Sequence, residues 1–405
     1  MTVRIPGILE EHAEDAAFLW MLRDQAALAP DYDRNELAEL EERLVAHLDP
    51  LLAGGEEARV LVRGQWLDWP EPGESFLAGL VALQAGDLER VNEIVATAQS
   101  EDPVDRGFRG ALAWLPFEQV SDLLADLVTR PADHECGLGL AGYGAHRMPP
   151  PSAMGTAIEE GSARLAARAA RTAAQLGLVE LLPPIRARAA RALEDPDLVY
   201  WCAWSARVLG DGAPSLRLLD RLEELDVWRG PACGLLGTAM DPAEAKAWHQ
   251  RLLQSDSPIP IEDALQAATG MGQVSLIPWI LDQMSDSRLG GCAGDAFHRI
   301  TGADLVDLDL VIEGAGSEDD SGDWRPQDDL PLPDPEGCKV WWDSSPLADV
   351  GNQPMMLGVP KTDRSALEGL LDADHTSQRD RYDLAVELAS AQPGGILTEV
   401  RRRLR

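Results

Sequence analysis

The 405-residue sequence lacks long apolar runs and a basic leader segment. Nowhere do about 18 uncharged apolar residues follow one another, so we predict that no helix spans a membrane. The first 14 residues carry three glutamates and a single arginine, and no basic region precedes an apolar stretch. That composition predicts no secretory signal, and we therefore expect a cytoplasmic protein.

Cysteine is scarce and irregularly spaced. The five cysteines lie far apart, and none forms a Cys-x-x-Cys pair. An odd number at such spacings argues against a disulfide framework or a structural zinc site, and predicts reduced, mostly packed thiols. The five are Cys136, Cys202, Cys233, Cys292 and Cys338.

Basic residues are also scarce. The chain has 35 lysines and arginines against 69 aspartates and glutamates, which gives a formal net charge of −34. DNA and RNA are therefore poor partners, because neutralising phosphates requires clustered Lys and Arg. The charge has two readings: ordinary solubility through self-repulsion, or attraction to a basic protein.

Strand signals are weak, whereas helix signals are strong. Only residues 59–66 show an alternation that could suit a strand, and we favour a helix there. In residues 36–52 leucines recur at steps of three and four with charged residues between them, which predicts an amphipathic helix. Gly54 and Gly55 then predict its end.

From about residue 75 the chain alternates short apolar helices with Gly-containing turns. Similar helix–turn–helix phrases return at intervals of about 30 residues, a period typical of solenoids. We predict an all-α protein, an α-solenoid of helical repeats with helical caps. The predicted segments are an N-terminal cap (1–74), repeats (75–303), an acidic loop with twelve acidic residues and one basic residue (304–336), and a C-terminal cap (337–405).

No strong catalytic motif occurs. There is no Gly-x-Ser-x-Gly, no His-Glu-x-x-His and no Walker loop, so we predict a protein that is not an enzyme and needs no cofactor. Residues 137–142 read Gly-x-Gly-x-x-Gly, but a polar, Pro-containing segment precedes them instead of a buried strand. Close helix packing or a turn explains these glycines better.

Two groups of potential metal ligands are equally weak. The first, His134, Cys136 and His146, has no fourth ligand at a recognisable spacing. The second lacks the central glycine of a calcium loop and reads as a solvated loop or as helix-end carboxylates. It comprises Asp304, Asp307, Asp309 and Glu313. We predict no metal site.

Two features point to a partner instead. Arg164, Arg168 and Arg171 recur at steps of four and three, so they share one face of a helix. They could brace neighbouring repeats by pairing with carboxylates, or they could form a partner-binding face. Trp341 and Trp342 would point about 100° apart on a helix, so one of them could anchor a partner while the other is buried.

Scattered stretches resemble a known family. They are residues 11–20, 37–51, 293–302, 332–342, 358–360 and 379–389, and the Trp341-Trp342 pair after the acidic loop is the most specific. In these the chain resembles an uncharacterised group of bacterial HEAT-repeat-like proteins, often encoded among type VI secretion genes. It departs from that group in its basic ending, residues 401–405.

The resemblance implies a HEAT-like solenoid that works beside effector delivery or neutralisation. On this basis we expect an effector adaptor or chaperone that binds another protein, either a secreted effector or a secretion component. The alternative is an immunity protein that neutralises a cognate toxin, for which the −34 charge would suit a basic toxin. A more remote alternative is an enzyme with an unrecognised site.

Overall fold

The protein is all-α. A computed structural model describes residues 7–151, 154–191, 195–212, 226–254, 260–312 and 330–403. These residues contain twenty α-helices and one two-stranded antiparallel sheet, β1 (Met355–Met356) with β2 (Val359–Pro360), which confirms the predicted class. Among the described helices, none combines the length and apolar composition needed to cross a lipid bilayer.

The chain forms two compact units. Unit 1 combines Met1–Arg188 with Leu371–Arg405, and unit 2 is Ala189–Leu370. The helices that begin in unit 1 are α1 (Ile8–Ala26), α2 (Arg34–Ala53), α3 (Gly55–Asp68), α4 (Pro72–Ala85), α5 (Leu88–Thr97), α6 (Asp102–Trp114), α7 (Phe117–Leu127), α8 (Asp133–His146), α9 (Met154–Glu160), α10 (Ala163–Gln175), α11 (Leu182–Arg191) and, after unit 2, α20 (Gln378–Ala391).

Unit 2 holds the remaining helices and the small sheet. Its helices are α12 (Pro196–Val208), α13 (Arg229–Ala239), α14 (Pro242–Gln254), α15 (Ile261–Met271), α16 (Ile277–Gln283), α17 (Gly290–Thr301), α18 (Pro335–Ser344) and α19 (Arg364–Asp372). At Gly272, whose φ is +65°, the chain leaves α15, and the Met355 N–H donates to its carbonyl at 2.8 Å. That contact attaches the sheet to the end of α15.

The amphipathic helix predicted for residues 36–52 is α2. Asp33 and Glu36 form a capping box at its start, and the predicted leucine stripe is buried. Residues 59–66, the weak strand candidate, lie inside α3, as favoured from the sequence.

Helices two positions apart in the chain pack against each other. In unit 1, α4 packs on α6, α6 on α8 and α8 on α10; in unit 2, α13 packs on α15 and α15 on α17. Glycines permit the close approach: a Cβ on Gly107 of α6 would lie 2.6 Å from the Ser75 Cβ of α4. In unit 2, a Cβ on Gly237 of α13 would lie 2.5 Å from the Ala267 carbonyl oxygen of α15. This is the packing that tandem helical hairpins produce; arrangement as a solenoid stays a prediction.

The units cut across the predicted segments. The stretch 337–405, predicted as one cap, contributes to unit 2 up to Leu370 and to unit 1 from Leu371 onward. At the other end, α4 begins at Pro72 and packs on α1, so residue 74 marks no boundary. In the acidic segment 304–336, Val311 and Pro333 pair in a β-bridge; residues 313–329 lie outside the described part of the chain.

Two helical glycines give a matched test of the close packing. Gly107→Ala should lower the free energy of unfolding by about 1–3 kcal/mol, because the methyl group overpacks the contact between α4 and α6. Gly64→Ala in α3, where nothing lies within 4 Å of the new Cβ, should raise it by about 0.5–1 kcal/mol through helix propensity. Urea-induced unfolding measures both changes. If the two variants shift stability in the same direction, the helices are not in the contact described.

Unit 2 should lose stability in mild acid because of His249. Its ring is buried beside Trp279 at a centroid distance of 4.4 Å, and burial lowers its pKa to about 4. The unfolded chain takes up this proton near pH 6.5 and the folded chain does not, so stability falls as pH drops from about 6.5 to 4, by about 3 kcal/mol in all. His249→Gln should remove this pH-dependent loss of stability, whereas His375→Gln, at an exposed site, should keep it. Denaturant unfolding at several pH values measures the difference.

Candidate functional site

The arginines predicted from the sequence lie together on α10. The Ser162 hydroxyl caps the first turn of the helix by accepting the Leu165 N–H at 3.4 Å. The side of α10 that faces the interior is almost entirely small; its buried residues include Leu165, Ala166, Ala169, Ala170 and Ala173. The helical spacing puts Arg164, Arg168 and Arg171, here called the arginine face, on the remaining side.

Arg164 is tied to α6. Its Nη2 lies 3.1 Å from a carboxylate oxygen of Asp102 and 3.1 Å from one of Asp105. The same Asp105 oxygen lies 2.7 Å from Nη2 of Arg109, one turn further along α6. Arg164 therefore has the bracing role considered from the sequence, although its side chain is 52% exposed and such a pair contributes little stability.

Arg168 differs from its neighbours. It is partly buried, and within the described part of the chain no carboxylate forms an ion pair with it. Burial, followed by the charges of Arg109 and Arg171, lowers its pKa well below the ordinary value. A guanidinium nevertheless stays protonated at neutral pH. The arginine face thus holds a partly buried cation that makes no ion pair within the described residues.

Arg171 lies toward the C-terminal part of unit 1. Its charge acts on the Tyr382 phenol of α20, as do the charges of Arg401 and Arg147. Burial raises the pKa of Tyr382, and these three cations oppose that rise. Arg164 of the arginine face is thus ion-paired with α6, and the charge of Arg171 acts on Tyr382 of α20.

The residues after α20 pack along unit 1 as an extended segment, here called the C-terminal strap (residues 397–403). The Leu397 N–H donates to the Gln175 carbonyl at 3.0 Å, and Arg147 Nε donates to the Leu397 carbonyl at 2.7 Å. Arg147 also pairs with the Glu399 carboxylate at 2.8 Å. The side chains of Leu397 and Val400 are buried, which fixes the register of the strap.

The far end of the strap reaches α1 and α6. Arg23 of α1 donates to the Arg401 carbonyl at 2.6 Å, and Arg402 donates to the Ala113 carbonyl at 3.1 Å. The Arg403 guanidinium lies 4.7 Å from the ring centroid of Trp114, within cation–π distance. The basic ending of the chain is therefore docked on unit 1 as far as residue 403.

A buried ion pair supports this contact. Arg23 donates through Nε and Nη2 to one carboxylate oxygen of Glu41 at 2.9 and 2.6 Å, and both side chains are about 93% buried. The pair joins α1 to α2 and leaves Nη1 of Arg23 for the strap.

The two predicted tryptophans lie on α18. Trp342 is buried, whereas Trp341 is partly exposed and packs edge-on against Phe297 at a centroid distance of 5.6 Å. The neighbouring Val340 is 69% exposed. Of the pair, Trp341 is the one with surface left for a partner.

The weak motifs of the sequence have structural explanations. The Gly-x-Gly-x-x-Gly string lies inside α8, where a Cβ on Gly139 would come within 2.7 Å of the Val128 side chain, so the prediction of close packing is confirmed. His146 hydrogen-bonds the Leu112 carbonyl at 2.9 Å, and burial lowers its pKa. Across the described ranges, no group of three His, Cys, Asp or Glu side chains is placed to hold a metal ion.

The aspartates after α17 begin a turn. One oxygen of Asp304 accepts the backbone N–H groups of Val306 and Asp307, each at 2.9 Å. Asp309 adopts a positive φ of 55°, and Glu313 lies outside the described residues. The described part of this segment therefore agrees with the prediction that its carboxylates lie in a loop.

The cysteines behave as predicted. Cys202, Cys233 and Cys338 are buried, as expected of packed thiols. Burial raises the pKa of Cys233 to about 12 and that of Cys338 to about 11, so these thiols are poor nucleophiles.

The partners of the arginine face were not predicted from the sequence. Asp102 and Asp105 lie some 60 residues before α10, and Tyr382 lies some 200 residues after it, so no local pattern links them to the arginines. For the strap, the only local signal is Leu397 and Val400 standing among charged residues.

Comparison with known proteins gives no assignment: no family model, no curated protein and no solved structure matches this chain.

The buried pair predicts a large stability effect. Glu41→Gln should lower the free energy of unfolding of unit 1 by about 3–5 kcal/mol, because it leaves the Arg23 charge buried without its counter-ion. The strap should loosen as well, since Arg23 also holds the Arg401 carbonyl. Denaturant unfolding and the rate of proteolysis within residues 397–403 measure the two effects.

Glu56→Gln serves as the control, because Glu56 pairs with Arg59 and Arg90 at an exposed site. It should leave both measurements nearly unchanged. If both variants lose the same amount of stability, burial of the Arg23–Glu41 pair is not the cause of the loss.

Proposed function

We propose that this chain is a protein-binding helical scaffold that captures its partner through the arginine face of α10. It would act as an effector adaptor or chaperone of a type VI secretion system. Packing of helices two apart in both units supports the scaffold part of this proposal, because stacked helical pairs expose long surfaces suited to protein ligands.

One observation carries the choice of surface. Arg168 is held partly buried and without an ion pair in the described residues, in a chain with a net charge of −34. Keeping such a cation has a free-energy cost, and an acidic group brought by a partner would remove it. Arginine is also among the residues most often found at interface hot spots.

The type VI assignment rests on the sequence resemblance alone, and so does the adaptor role. The alternative, an immunity protein, is favoured by the overall charge, because an acidic chain attracts and steers a basic toxin. The two roles use different surfaces. A basic toxin would avoid the arginine face, whereas an acidic partner would seek it.

Capture from the native host tests the proposal. The tagged chain, its Arg168→Gln variant and an Arg59→Gln control are cross-linked in cells, and co-purifying proteins are quantified by mass spectrometry. Arg59 is an arginine of the same unit whose charge is matched by Glu56. We expect Arg168→Gln to lower recovery of the partner at least about tenfold, as loss of a hot spot does, and Arg59→Gln to leave it unchanged.

The melting temperature of the Arg168→Gln variant distinguishes a binding role of Arg168 from a structural role. Because Arg168 has no ion pair to lose, Arg168→Gln should keep or raise the melting temperature. A fall in melting temperature together with unchanged capture would mean that Arg168 braces the helices and that the binding surface lies elsewhere.

Deletion of the gene separates the two roles. Loss of effector secretion in viable cells supports the adaptor. If the deletion strain dies, and restoring the chain or removing a neighbouring basic toxin prevents this, the adaptor role is rejected in favour of the immunity role.

A further inference from the structure

Two histidines of unit 1 face each other between α1 and α2. Nδ1 of His12, on α1, lies 3.3 Å from Nδ1 of His47, on α2. Asp15 lies one turn further along α1 than His12, and its Oδ2 is 3.4 Å from the same His47 nitrogen. Imidazole nitrogens and a carboxylate oxygen, the usual ligands of transition metals, are thus brought together from two helices.

The distances between the two rings fit a shared tetrahedral metal ion. Zn²⁺ binds imidazole nitrogen at about 2.0–2.1 Å, so two nitrogens on one tetrahedral ion lie about 3.3 Å apart and their ring centroids about 5.2 Å apart. In the protein the nitrogens of His12 and His47 are 3.3 Å apart, and the ring centroids are 5.1 Å apart. The rings therefore need little movement to bind one ion together.

The packing of α1 on α2 holds both rings in position. Ala13 and Leu48, which directly follow the two histidines, are 1% and 2% exposed, so the backbone beside each ring is fixed in the core. The rings themselves are only partly buried, and the His47 side chain is 29% exposed. A cation can reach them from solvent, and ligands on rigid helices need little ordering when it binds.

The protein supplies two ligands, and water completes the coordination. Within the described ranges no three His, Cys, Asp or Glu side chains are placed to hold a metal ion, so Asp15 acts through its charge and through hydrogen bonds from metal-bound water. Imidazole selects Zn²⁺ and related transition metals over Mg²⁺ and Ca²⁺. A net charge of −34 on the chain also favours the approach of a cation.

We propose that His12 and His47 form a binding site for a divalent transition-metal ion, Zn²⁺ by its geometry, which ties α1 to α2. The hydrogen bond between the rings places a proton on one Nδ1. That ring moves its proton to Nε2 on binding, because both Nδ1 atoms must present lone pairs to the metal. The site uses no residue of the arginine face and does not depend on the proposed function.

Titration of the full-length chain with zinc chloride tests the site. Calorimetry at neutral pH should show one Zn²⁺ bound per chain, and the melting temperature should rise with Zn²⁺ because the unfolded chain lacks the site. His12→Gln and His47→Gln should each lower the affinity at least about 10–100-fold, since losing an outer partner of a metal ligand already costs that much. Both variants should also lose the rise in melting temperature.

His375→Gln is the matched control, because this histidine of unit 1 is exposed. It should keep both the affinity and the rise in melting temperature. Equal Zn²⁺ binding by the wild type, His12→Gln and His47→Gln would place the metal elsewhere and overturn the site, as would no binding by the wild type. Binding is measured well below each melting temperature, so a variant that is less stable without metal still decides the question.

Two further measurements separate ligation from charge. Mg²⁺ prefers oxygen ligands and should leave the melting temperature unchanged, whereas a rise equal to that with Zn²⁺ would overturn ligation by imidazole. Asp15→Asn should weaken Zn²⁺ binding several-fold, and Asp68→Asn, which removes an exposed carboxylate of α3, should not. An equal effect of the two substitutions would overturn the role of Asp15.

Discussion

Close approach between the backbones of helices two apart is the constraint on which the rest of the structure depends. Gly107 allows α6 to lie against α4, and Gly237 allows α13 to lie against α15. Alanines do the same for α10, whose interior side is nearly all small. The arginine face lies on the side of α10 that these small residues leave unpacked.

Arginine–carboxylate ion pairs, here called joints, are the second feature that holds unit 1 together. Unit 1 contains no lysine, so every side-chain cation in it other than histidine is an arginine. Glu41, Asp105 and Glu399 each join separate elements through guanidinium groups. The planar fork suits such joints, because it can bind two groups at once, as Arg23 binds Glu41 and the Arg401 carbonyl. Arg168 forms no such joint within the described residues.

The sequence predicted what is periodic. The leucine stripe of α2 follows from a repeat of 3.6 residues and is found buried. The same repeat puts Arg164, Arg168 and Arg171 on one face of α10, a helix that the structure contains. The sequence of residues 137–142 predicts close helix packing or a turn, and for Gly139 the structure shows close packing inside α8. Long-range partners could not be predicted. Whether Arg164 meets Asp102, or whether Trp341 keeps some exposed surface, depends on which helices become neighbours, and periodicity contains no such information.

The boundaries were difficult for the same reason. A stretch of acidic residues followed by short helices suggested one terminal cap over 337–405, yet the chain divides at Leu371. Burial of Leu397 and Val400 and the contacts of Arg147 and Arg23 hold the final residues in unit 1. Two apolar residues among arginines are too small a signal to predict that.

The strap also affects how the protein is made. The hydrogen bond between Arg23 and Arg401 joins residues 378 positions apart. Chain synthesis proceeds at about 5–20 residues per second, so α1 waits on the order of 20–80 seconds for this contact after it emerges. During that time unit 2 is being translated, and neither Trp114 nor Arg23 can yet contact the C-terminal strap. The first helices of unit 1 are therefore made before unit 2, whereas the contacts of residues 397–403 with unit 1 form only after unit 2 has been made.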